Sequence, residues 1–488
     1  MARLVILGAG VAGHTAASFA AKWLGKKHEV VVVTPNSMWN WIPSNIWVGV
    51  GGMSKDDVVF PLAPVYKKAG IDYRQALAVS IHPEGKKGSD APFVMIRYTG
   101  GENEGHTEEL TYDYLINATG PKLNFDATPG LGNGKGQMGE HTVSVCTADH
   151  AVHASHTLKK MVKAMKQGEH KRFLIGTGHG TCTCQGAAFE YTFNVEHYLS
   201  EQGVRDKATI TYISNEYELG DFGMGGMHIK RGGYITSGKI FTESLYTERA
   251  IGWITRAHVN KVEADRVHYE LLDGTMHEEP YDFAMLIPPF AGSGIKAYAQ
   301  DGSDITDTLF NPGGFMFVDG DYTPKPFEEW SSSDWPRTLQ NPKYKNIFAA
   351  GIAFAPPHLI SKPMTSPNGT PINPTPPRTG MPSAMMGRAV AASIRDMING
   401  APEPAHTASM AEMGAACVAS AGKGLFSGSA AAMTMYPIIP DYDTYEYGRD
   451  LNGTFGMIGL AGHWVKHILH HAFIWKAKLK PGWTLIPE

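Results

Sequence analysis

The cysteines of this chain are its most evident candidates for redox or nucleophilic chemistry, because a thiolate is both a nucleophile and a redox-active group. Cys182 and Cys184 lie in a glycine-rich stretch, residues 176–186, and Cys146 precedes them. Four cysteines in 488 residues are too few for a disulfide scaffold. We therefore treat these three as candidate reactive thiols. Cys417 is interpreted instead as a small buried side chain.

A second group of residues, the glycines Gly8, Gly10 and Gly13, is suited to binding a dinucleotide. They lie between a buried strand, Arg3–Leu7, and a helical pattern, and a second strand follows at Glu29–Thr34. The first glycine permits a tight turn, the second lets the backbone approach a pyrophosphate, and the third lets helix and strand pack closely. The helix N-terminus offers free N–H groups to the phosphates. This unit therefore predicts a nucleotide site.

Later segments indicate which nucleotide is bound. A strand pattern in residues 114–121 ends in Thr119 and Gly120, and a late strand pattern ends in Gly351. Together with the first unit, these segments resemble the flavoproteins that contain two dinucleotide-binding domains and bind FAD. The acidic residue that usually contacts the ribose is absent at the end of the second strand, where Thr34 stands, so the ribose must be held differently.

The middle of the chain repeats the strand–glycine plan and then departs from it. Residues 172–178 predict a strand followed by glycine, and residues 208–214 predict the next strand. The third glycine position is Thr181, and the loop contains Cys182 and Cys184 instead. Thiols where a pyrophosphate would lie argue against a nicotinamide nucleotide, so another electron donor is expected. The Cys-x-Cys spacing without a second cluster also argues against zinc, and no metal is expected.

Composition and charge exclude several classes of protein. The chain is 43% hydrophobic and 18% charged, which is typical of a globular protein with a large core. A net charge of −4 argues against a nucleic-acid binder. No window approaches the roughly 20 apolar residues of a transmembrane helix, and the N-terminus runs directly into a strand without a signal-peptide pattern. We expect a soluble protein or one peripheral to a membrane.

The C-terminal region has the pattern of an amphipathic helix. Apolar side chains recur at helical spacing at Met457, Leu460, Ala461, Trp464, Val465, Ile468, Leu469, Ala472 and Phe473. The other face holds His463, Lys466, His467, His470 and His471, and Lys476, Lys478 and Lys480 follow. An apolar stripe beside a basic face, with Trp475 and Trp483 at headgroup depth, favours a helix lying on an anionic bilayer. The alternative is an ordinary helix docked on the protein's own core or on a neighbouring subunit.

Several spaced motifs resemble those of one known family. The stretch Gly176 to Glu196 is similar to the active-site cysteine segment of sulfide:quinone oxidoreductases, and Ser144 to Ala151 is similar to a second cysteine segment of that family. Further matches are residues 43–51, 287–290, 461–464 and 481–488. The resemblance extends nearly end to end, and the flavoprotein of flavocytochrome c sulfide dehydrogenase has similar segments.

The resemblance implies an FAD enzyme in which sulfide attacks a disulfide or persulfide beside the flavin, and the flavin reduces quinone. It implies that Cys184 is the flavin-proximal active cysteine and Glu190 a nearby proton-handling carboxylate. Cys182, in the same loop, is a further candidate catalytic residue. Cys146 matches the cysteine that in some members links covalently to the flavin, and His150 matches a family histidine near it.

The resemblance also assigns residues to the cofactor site. Arg378 lies where members usually have lysine, and it keeps a positive charge beside the flavin or quinone. Thr379 and Gly380 follow it and are expected to contact the cofactor. Ser44, in the matching segment 43–51, is a further expected contact.

The chain departs from the family pattern at two positions. A third cysteine commonly follows the late strand in members, and here Ala353 takes its place, while a histidine of relatives is replaced by Asp221. A disulfide between Cys182 and Cys184 would be strained, and a Cys146–Cys184 partnership stays open. Altered chemistry or a different sulfur substrate is therefore an alternative.

We expect an α/β protein with two Rossmann-like dinucleotide-binding domains and C-terminal amphipathic membrane-surface helices. Residues 1–125 and 319–395 are predicted to form a discontinuous FAD-binding domain. Residues 126–318 are predicted to form a second, degenerate nucleotide-binding domain that contains the cysteine loop. Residues 396–488 are predicted to form the membrane-interface segment.

The predicted function is FAD-dependent oxidation of sulfide, or a related reduced sulfur species, to sulfane sulfur or polysulfide, with electrons passed to membrane quinone. The alternatives are a flavoprotein that reduces a c-type cytochrome, a type II NADH:quinone oxidoreductase, and a flavin-bearing assembly subunit without turnover. We expect a homo-oligomer on the surface of the cytoplasmic membrane. Cys146 offers a route to covalent attachment of FAD.

Overall fold

The first glycine motif lies at the carboxyl edge of a mainly parallel sheet in the computed structural model, which describes residues 1–231, 233–377, 380–422 and 428–488. The parallel strands, in spatial order, are Ile347–Ala349, Tyr114–Asn117, Arg3–Leu7, Glu29–Thr34 and Asp72–His82. The antiparallel strands Phe93–Tyr98 and Thr107–Thr111 extend this sheet, and Lys296–Ala297 pairs with Asp72–His82. The central strands are apolar and buried, as is typical of parallel strands covered on both faces.

This sheet joins two distant parts of the chain. The late strand Ile347–Ala349 pairs in parallel with Tyr114–Asn117. After it, the helix Gly380–Ile398 packs across the first helix, Val11–Leu24, so closely that a Cβ added at Gly387 would lie 2.2 Å from the backbone oxygen of Ala12. The pairing agrees with a discontinuous first domain, whose exact boundaries stay a prediction.

A second, smaller parallel sheet is built by the middle of the chain. Its strands, in spatial order, are Ile251–Ile254, Ala208–Ile213, Lys171–Thr177 and Phe283–Ile287. An antiparallel sheet of Ala257–Val262, Arg266–Leu271 and Met276–Pro280 shares a buried cluster with it. Two parallel sheets, each with a strand–glycine–helix turn, confirm the expected α/β class.

Shorter elements connect these sheets. Paired short strands are Met38–Asn40 with Val59–Pro61, Lys122–Leu123 with Phe290–Ala291, and His228–Arg231 with Tyr234–Ser237. Further helices are Asn45–Gly49, Lys55–Val58, Leu62–Ala69, Ala148–Lys166, Gln185–Glu201, Gly238–Glu248 and Thr306–Leu309. We call Gln185–Glu201 the cysteine helix, because it follows Cys184 directly.

The C-terminal part folds as an antiparallel sheet followed by one helix. The strands are Ala415–Ala421, Ser429–Met435 and Phe455–Gly459, and the helix, called here the C-terminal helix, is Leu460–Ala477. The predicted helical stripe therefore begins too early, because Met457 lies in a strand that pairs with Ser429–Met435.

The C-terminal helix turns its imidazole face toward the protein and its apolar face outward. His463 and His470 are 0% and 3% exposed, whereas Val465 and Ile468 are 48% and 66% exposed. Lys466 forms a buried ion pair. The expectation of a basic face at the membrane surface is therefore wrong for these side chains, because they find partners inside the protein. Among the described residues, no helix is long and apolar enough to cross a bilayer.

We expect Gly387→Ala to lower the free energy of unfolding by about 1–3 kcal/mol, because the new methyl group must displace a backbone carbonyl of the first helix. Gly252→Ala is the matched control, since its methyl group would meet only Ile210 O, at 3.8 Å. The control should stay within about 0.5 kcal/mol of the parent protein. Equal urea midpoints for the two variants would contradict this close contact between helices.

Candidate active site

The glycines of the first motif lack side chains for different physical reasons. Gly8 has a φ of +96°, and a Cβ there would lie 2.3 Å from the backbone oxygen of Ala118. A Cβ on Gly13 would lie 2.1 Å from the backbone oxygen of Gly8, but a Cβ on Gly10 would meet no atom within 4 Å. The protein's own packing thus requires Gly8 and Gly13. The open space at Gly10, the N-cap of the first helix, fits a pyrophosphate such as that of FAD.

Further predicted cofactor residues gather around this turn. Gly351 has a φ of +68°, and a Cβ there would lie 2.9 Å from Cβ of Ala12, in the first helix. Thr119 and Gly120 follow the neighbouring strand, and a Cβ on Gly120 would meet no atom within 4 Å. Thr34 ends the second strand and is buried. Parallel strands end at the same edge of a sheet, so these residues border one crevice.

The remaining predicted cofactor contacts are placed less directly. The hydroxyl of Ser44 is buried and hydrogen-bonded to Nδ1 of His470 at 2.8 Å, so its partner is a side chain of the C-terminal helix. Gly380 begins the helix Gly380–Ile398. Arg378 and Thr379 lie outside the described residues.

Cys184 is the N-cap of the cysteine helix and has a φ of +67°. This left-handed conformation is uncommon for residues other than glycine, and such residues cluster at functional sites. A helix N-terminus favours the thiolate form of a cysteine, because its free N–H groups carry partial positive charge. The position therefore suits a nucleophilic sulfur.

At the second glycine turn, residues 176–184, a later part of the chain packs against the loop. A Cβ on Gly180 would lie 2.4 Å from the backbone oxygen of Pro371 and 2.6 Å from Nδ1 of His258. The N–H of Asn373 donates to Gly180 O at 2.8 Å, and the N–H of Thr375 donates to Cys182 O at 3.1 Å. Residues 371–375 thus pack on the cysteine loop, and at Gly178, which matches Gly10 of the first motif, a Cβ would lie 2.6 Å from Cδ2 of Leu131.

Cys146 and Cys184 are near enough to Cys182 for their charges to act on it, and we call these three residues the thiol cluster. Cys182 is fully buried, donates to Ile287 O at 3.0 Å, and has a pKa raised by burial. Burial also raises the pKa of Cys146 to about 11. Both are therefore protonated at neutral pH. None of the four cysteines, all of them described, is in a disulfide.

His150 is less clearly placed for chemistry. Its ring packs edge-on against Phe125, with centroids 5.7 Å apart, and its Nδ1 is buried without a hydrogen-bond partner among the described residues. Burial lowers the pKa of His150, so the ring is neutral. Its backbone N–H donates to the hydroxyl of Thr147 at 3.1 Å, which caps the helix Ala148–Lys166.

Glu190, in the cysteine helix, is buried and pairs with Lys466 of the C-terminal helix. Its Oε1 also accepts the N–H of Ser420 at 3.2 Å. Burial raises the pKa of Glu190, and the charge of Lys466 opposes this shift. Sequence reasoning missed Lys466 as its partner, because no local pattern relates two residues so far apart in the chain.

The structure also places the residues that depart from the family pattern. Ala353 is buried in the turn that follows the late strand. Asp221 is buried, accepts the hydroxyl of Ser361, and has a pKa raised by burial. Cys417 lies near Glu190 and Lys466, and its pKa is raised to about 12, mainly by burial. Cys417 also lies beside the start of the cysteine helix, since a Cβ on Gly186 would lie 3.3 Å from its Sγ.

Comparison with known proteins extends this description. Residues 2–179 match the family model described as pyridine nucleotide-disulphide oxidoreductase. The chain is 28% identical to the sulfide-quinone reductase of Aquifex aeolicus over 475 residues, which cover 97% of this chain and 91% of that protein.

Comparison with solved structures also finds a sulfide:quinone oxidoreductase. The sulfide:quinone oxidoreductase structure from Aquifex aeolicus matches with a TM-score of 0.74 at 27% identity, covering 98% of this chain and 92% of that one. NDH2 from Plasmodium falciparum, in complex with NADH, matches with a TM-score of 0.60 at 14% identity, covering 98% of this chain and 96% of that one, so it shares the fold alone. The Aquifex matches extend over both parallel sheets, the cysteine loop and the C-terminal helix, and the chain is therefore similar to sulfide:quinone oxidoreductases over nearly its whole length.

Proposed function

We propose that this protein uses FAD to oxidise sulfide and passes the electrons to a membrane quinone. The observation that carries the proposal is the cysteine helix, whose N-terminus is capped by Cys184 and whose preceding loop is covered by residues 371–375. A sulfur nucleophile can react at this helix, and the contact of Leu131 at Gly178 leaves less room for a nucleotide than the open space at Gly10. The relative named sulfide-quinone reductase supports the same substrates.

The first glycine turn would hold the FAD pyrophosphate, with the first helix directing its N–H groups at the phosphates. Gly120 and Gly351 would border the rest of the cofactor. When bound, FAD supplies two-electron redox chemistry between a sulfur donor and a quinone. The protein's part is to bind sulfur beside the cofactor, to keep water out, and to handle protons.

Cys184 is proposed to bind the sulfur, because the helix N-terminus stabilises its thiolate. Cys146 and Cys182, which stay protonated at neutral pH, surround it with a poorly solvated environment. With Ala353 in place of a third cysteine, a partner thiol must come from this cluster. Cys146 is the accessible choice, since Cys182 is fully buried. If Cys146 instead links covalently to the flavin, yellow colour will stay with the denatured chain.

The outward apolar side chains are proposed to bind a lipid surface. They are Met457, Ile458, Trp464, Val465, Ile468, Trp475 and Leu485, all exposed. Burial of such side chains in the interface stabilises membrane binding. Because His463, Lys466 and His470 face the protein, binding should depend more on apolar contact than on anionic lipid. A lipid-bound helix gives a membrane quinone a short route to the flavin.

Anaerobic flavin absorbance tests the proposed electron donor. Sulfide should bleach the flavin and a short-chain quinone should restore the colour, whereas NADH should leave the spectrum unchanged. Cys184→Ala should abolish the sulfide response, because the nucleophilic sulfur is lost. Met276→Ala, which shortens an exposed side chain in the strand Met276–Pro280, should keep it. Bleaching by NADH alone would make the protein an NADH:quinone oxidoreductase and would refute the proposal.

Gly10→Ala should separate flavin binding from folding. The new methyl group would meet no protein atom within 4 Å, but it would lie where a phosphate of the bound FAD is proposed to lie. Loss of one or two phosphate hydrogen bonds, about 1.5–3 kcal/mol, should weaken FAD retention at least about tenfold. Gly13→Ala should instead lower the thermal midpoint. The flavin-to-protein ratio and a melting curve measure the two effects, and full flavin content in Gly10→Ala would contradict the site.

Vesicle flotation tests the lipid surface. Val465→Glu combined with Ile468→Glu should reduce binding at least about tenfold, because two apolar side chains worth about 1.5–3 kcal/mol each are replaced by charges. Ile240→Glu is the control, since Ile240 is 57% exposed on another helix. Vesicles with and without anionic lipid should bind similarly. Unchanged flotation of the double variant would show that this face does not meet the membrane.

A further inference from the structure

Two buried carboxamides lie against the loop that contains Cys184, and the proposed sulfide chemistry has so far given them no role. Gln185 begins the cysteine helix, and Asn215 follows the strand Ala208–Ile213 at the carboxyl edge of the second parallel sheet. Both residues are 0% exposed. Nε2 of Gln185 donates to Oδ1 of Asn215 at 2.9 Å. We call these two residues the amide pair.

The N–H groups of the amide pair are directed at backbone carbonyls of the cysteine loop. Nδ2 of Asn215 donates to Gly180 O at 2.9 Å and to Cys182 O at 3.1 Å. Nε2 of Gln185 donates to Cys182 O at 3.0 Å. A carboxamide has two N–H donors, so the pair uses all of its donors in these bonds and in the bond between its members. Exchanging the nitrogen and oxygen of either carboxamide would place two oxygens against each other, so the contacts fix the orientation of both groups.

These hydrogen bonds hold the backbone on both sides of Cys184. Cys182 comes shortly before Cys184 and Gln185 directly after it, and the carboxamide of Gln185 joins the two flanking residues. Cys184 has a φ of +67°, and uncommon backbone conformations persist where the surrounding structure fixes them. The amide pair therefore supplies contacts that keep the loop in the conformation from which Cys184 caps the cysteine helix.

The carboxamide of Gln185 is unfavourable for stability in one respect. Its Oε1 is buried and has no hydrogen-bond partner among the described residues. A buried oxygen without a partner has lost its hydration without compensation, so an apolar side chain of similar shape would stabilise this part of the core better. The donors of Gln185 thus do something that core packing alone does not require.

A buried carboxyl group lies next to the amide pair. Oε2 of Glu216 accepts the hydroxyls of Ser214 at 2.6 Å and Tyr212 at 3.0 Å, and the Tyr212 hydroxyl also lies 3.4 Å from Gln185 O. Burial raises the pKa of Glu216 to about 7. Variants of the amide pair leave Glu216 in place, so their pH profiles must be compared with that of the parent protein over one pH range.

We propose that Gln185 and Asn215 are positioning residues for Cys184. Their N–H groups hold the carbonyls of Gly180 and Cys182, and this fixes the Cys184 thiol at the N-terminus of the cysteine helix, where it binds sulfur. The carboxamides act through the loop and are not oxidised, reduced or protonated. This inference rests on the proposed function and deepens it, because it assigns the residues that orient the proposed nucleophile.

Asn215→Ala removes both bonds from Asn215 to the loop and tests the proposal by stopped-flow absorbance. Sulfide should reduce the flavin of this variant about 10- to 100-fold more slowly than that of the parent protein, because misplacing a reacting group by about 1 Å can cost that much. Oxidation of the reduced flavin by a short-chain quinone should stay within about twofold of the parent rate. Gln185→Ala combined with Asn215→Ala should slow the sulfide step by less than the product of the two single effects, because the two residues share partners.

Alkylation of Cys184 is a second measurement, which needs neither sulfide nor quinone. Iodoacetamide should label Cys184 of Asn215→Ala about fivefold more slowly at neutral pH, and the pH midpoint of labelling should rise. The reason is that a displaced thiolate loses part of its stabilisation by the helix N-terminus. Peptide mapping identifies the labelled cysteine, and a loss of core packing alone would not move this midpoint.

Asn341→Ala separates positioning from general damage to the core. Asn341 is also 0% exposed, and its Nδ2 donates to Phe317 O at 2.9 Å in the turn before the late strand. This variant should lose melting temperature but keep the parent sulfide step and labelling midpoint, with flavin content measured for every variant. A parent-like sulfide step in Asn215→Ala, or an equal loss in Asn341→Ala, would overturn the proposal. If sulfide does not reduce the parent flavin, the proposed function fails instead, and the labelling midpoint then tests the amide pair alone.

Discussion

The buried ion pair between Glu190 and Lys466 joins parts of the chain that are far apart in the sequence. It joins the cysteine helix to the C-terminal helix, and Ser420 adds a third element through its bond to Glu190. A buried pair contributes little net stability, but a single unpaired partner would cost about 3–5 kcal/mol. The pair therefore specifies one docking position for the C-terminal helix, and this position decides which of its faces meets solvent.

The orientation of the C-terminal helix directs its polar side chains toward the cysteine helix and its apolar side chains outward. The ring of His467 stacks on Trp47. The hydroxyls of Ser44 and Ser420 are hydrogen-bonded to the buried rings of His470 and His463. Polar groups that find partners can be buried, and the apolar side chains are left outside. These outward apolar side chains form the surface that we propose binds lipid. The hydrogen bonds that bury the polar face of the C-terminal helix therefore also leave its apolar face exposed.

The two glycine turns show how one motif reaches opposite outcomes. At the first turn a Cβ on Gly10 would meet no atom within 4 Å, whereas at the second a Cβ on the matching residue, Gly178, would lie 2.6 Å from Cδ2 of Leu131. Both turns have a parallel strand before them and a helix after them. Residues 371–375, from the late part of the chain, also hydrogen-bond to the cysteine loop. Cys184, which follows the second turn, is the residue that we propose binds sulfur.

Local patterns were enough to predict the strands Arg3–Leu7 and Glu29–Thr34 and the α/β class with its two parallel sheets. Strand burial and glycine spacing are properties of short segments, so a single sequence reveals them. The cysteine cluster was expected from motif resemblance, and its roles stay proposals. The helical spacing at the C-terminus was visible as well, although the strand containing Met457 was not.

Only the tertiary structure decided which contacts form between distant segments. The closure of Gly180 by Pro371, the pairing of Glu190 with Lys466, and the inward direction of His463 all join elements far apart in the chain. An amphipathic pattern defines two faces of a helix, but the partners that satisfy the polar face lie elsewhere in the sequence. The sequence by itself therefore determined the elements and their chemistry, and packing between them decided which groups meet water, lipid or one another.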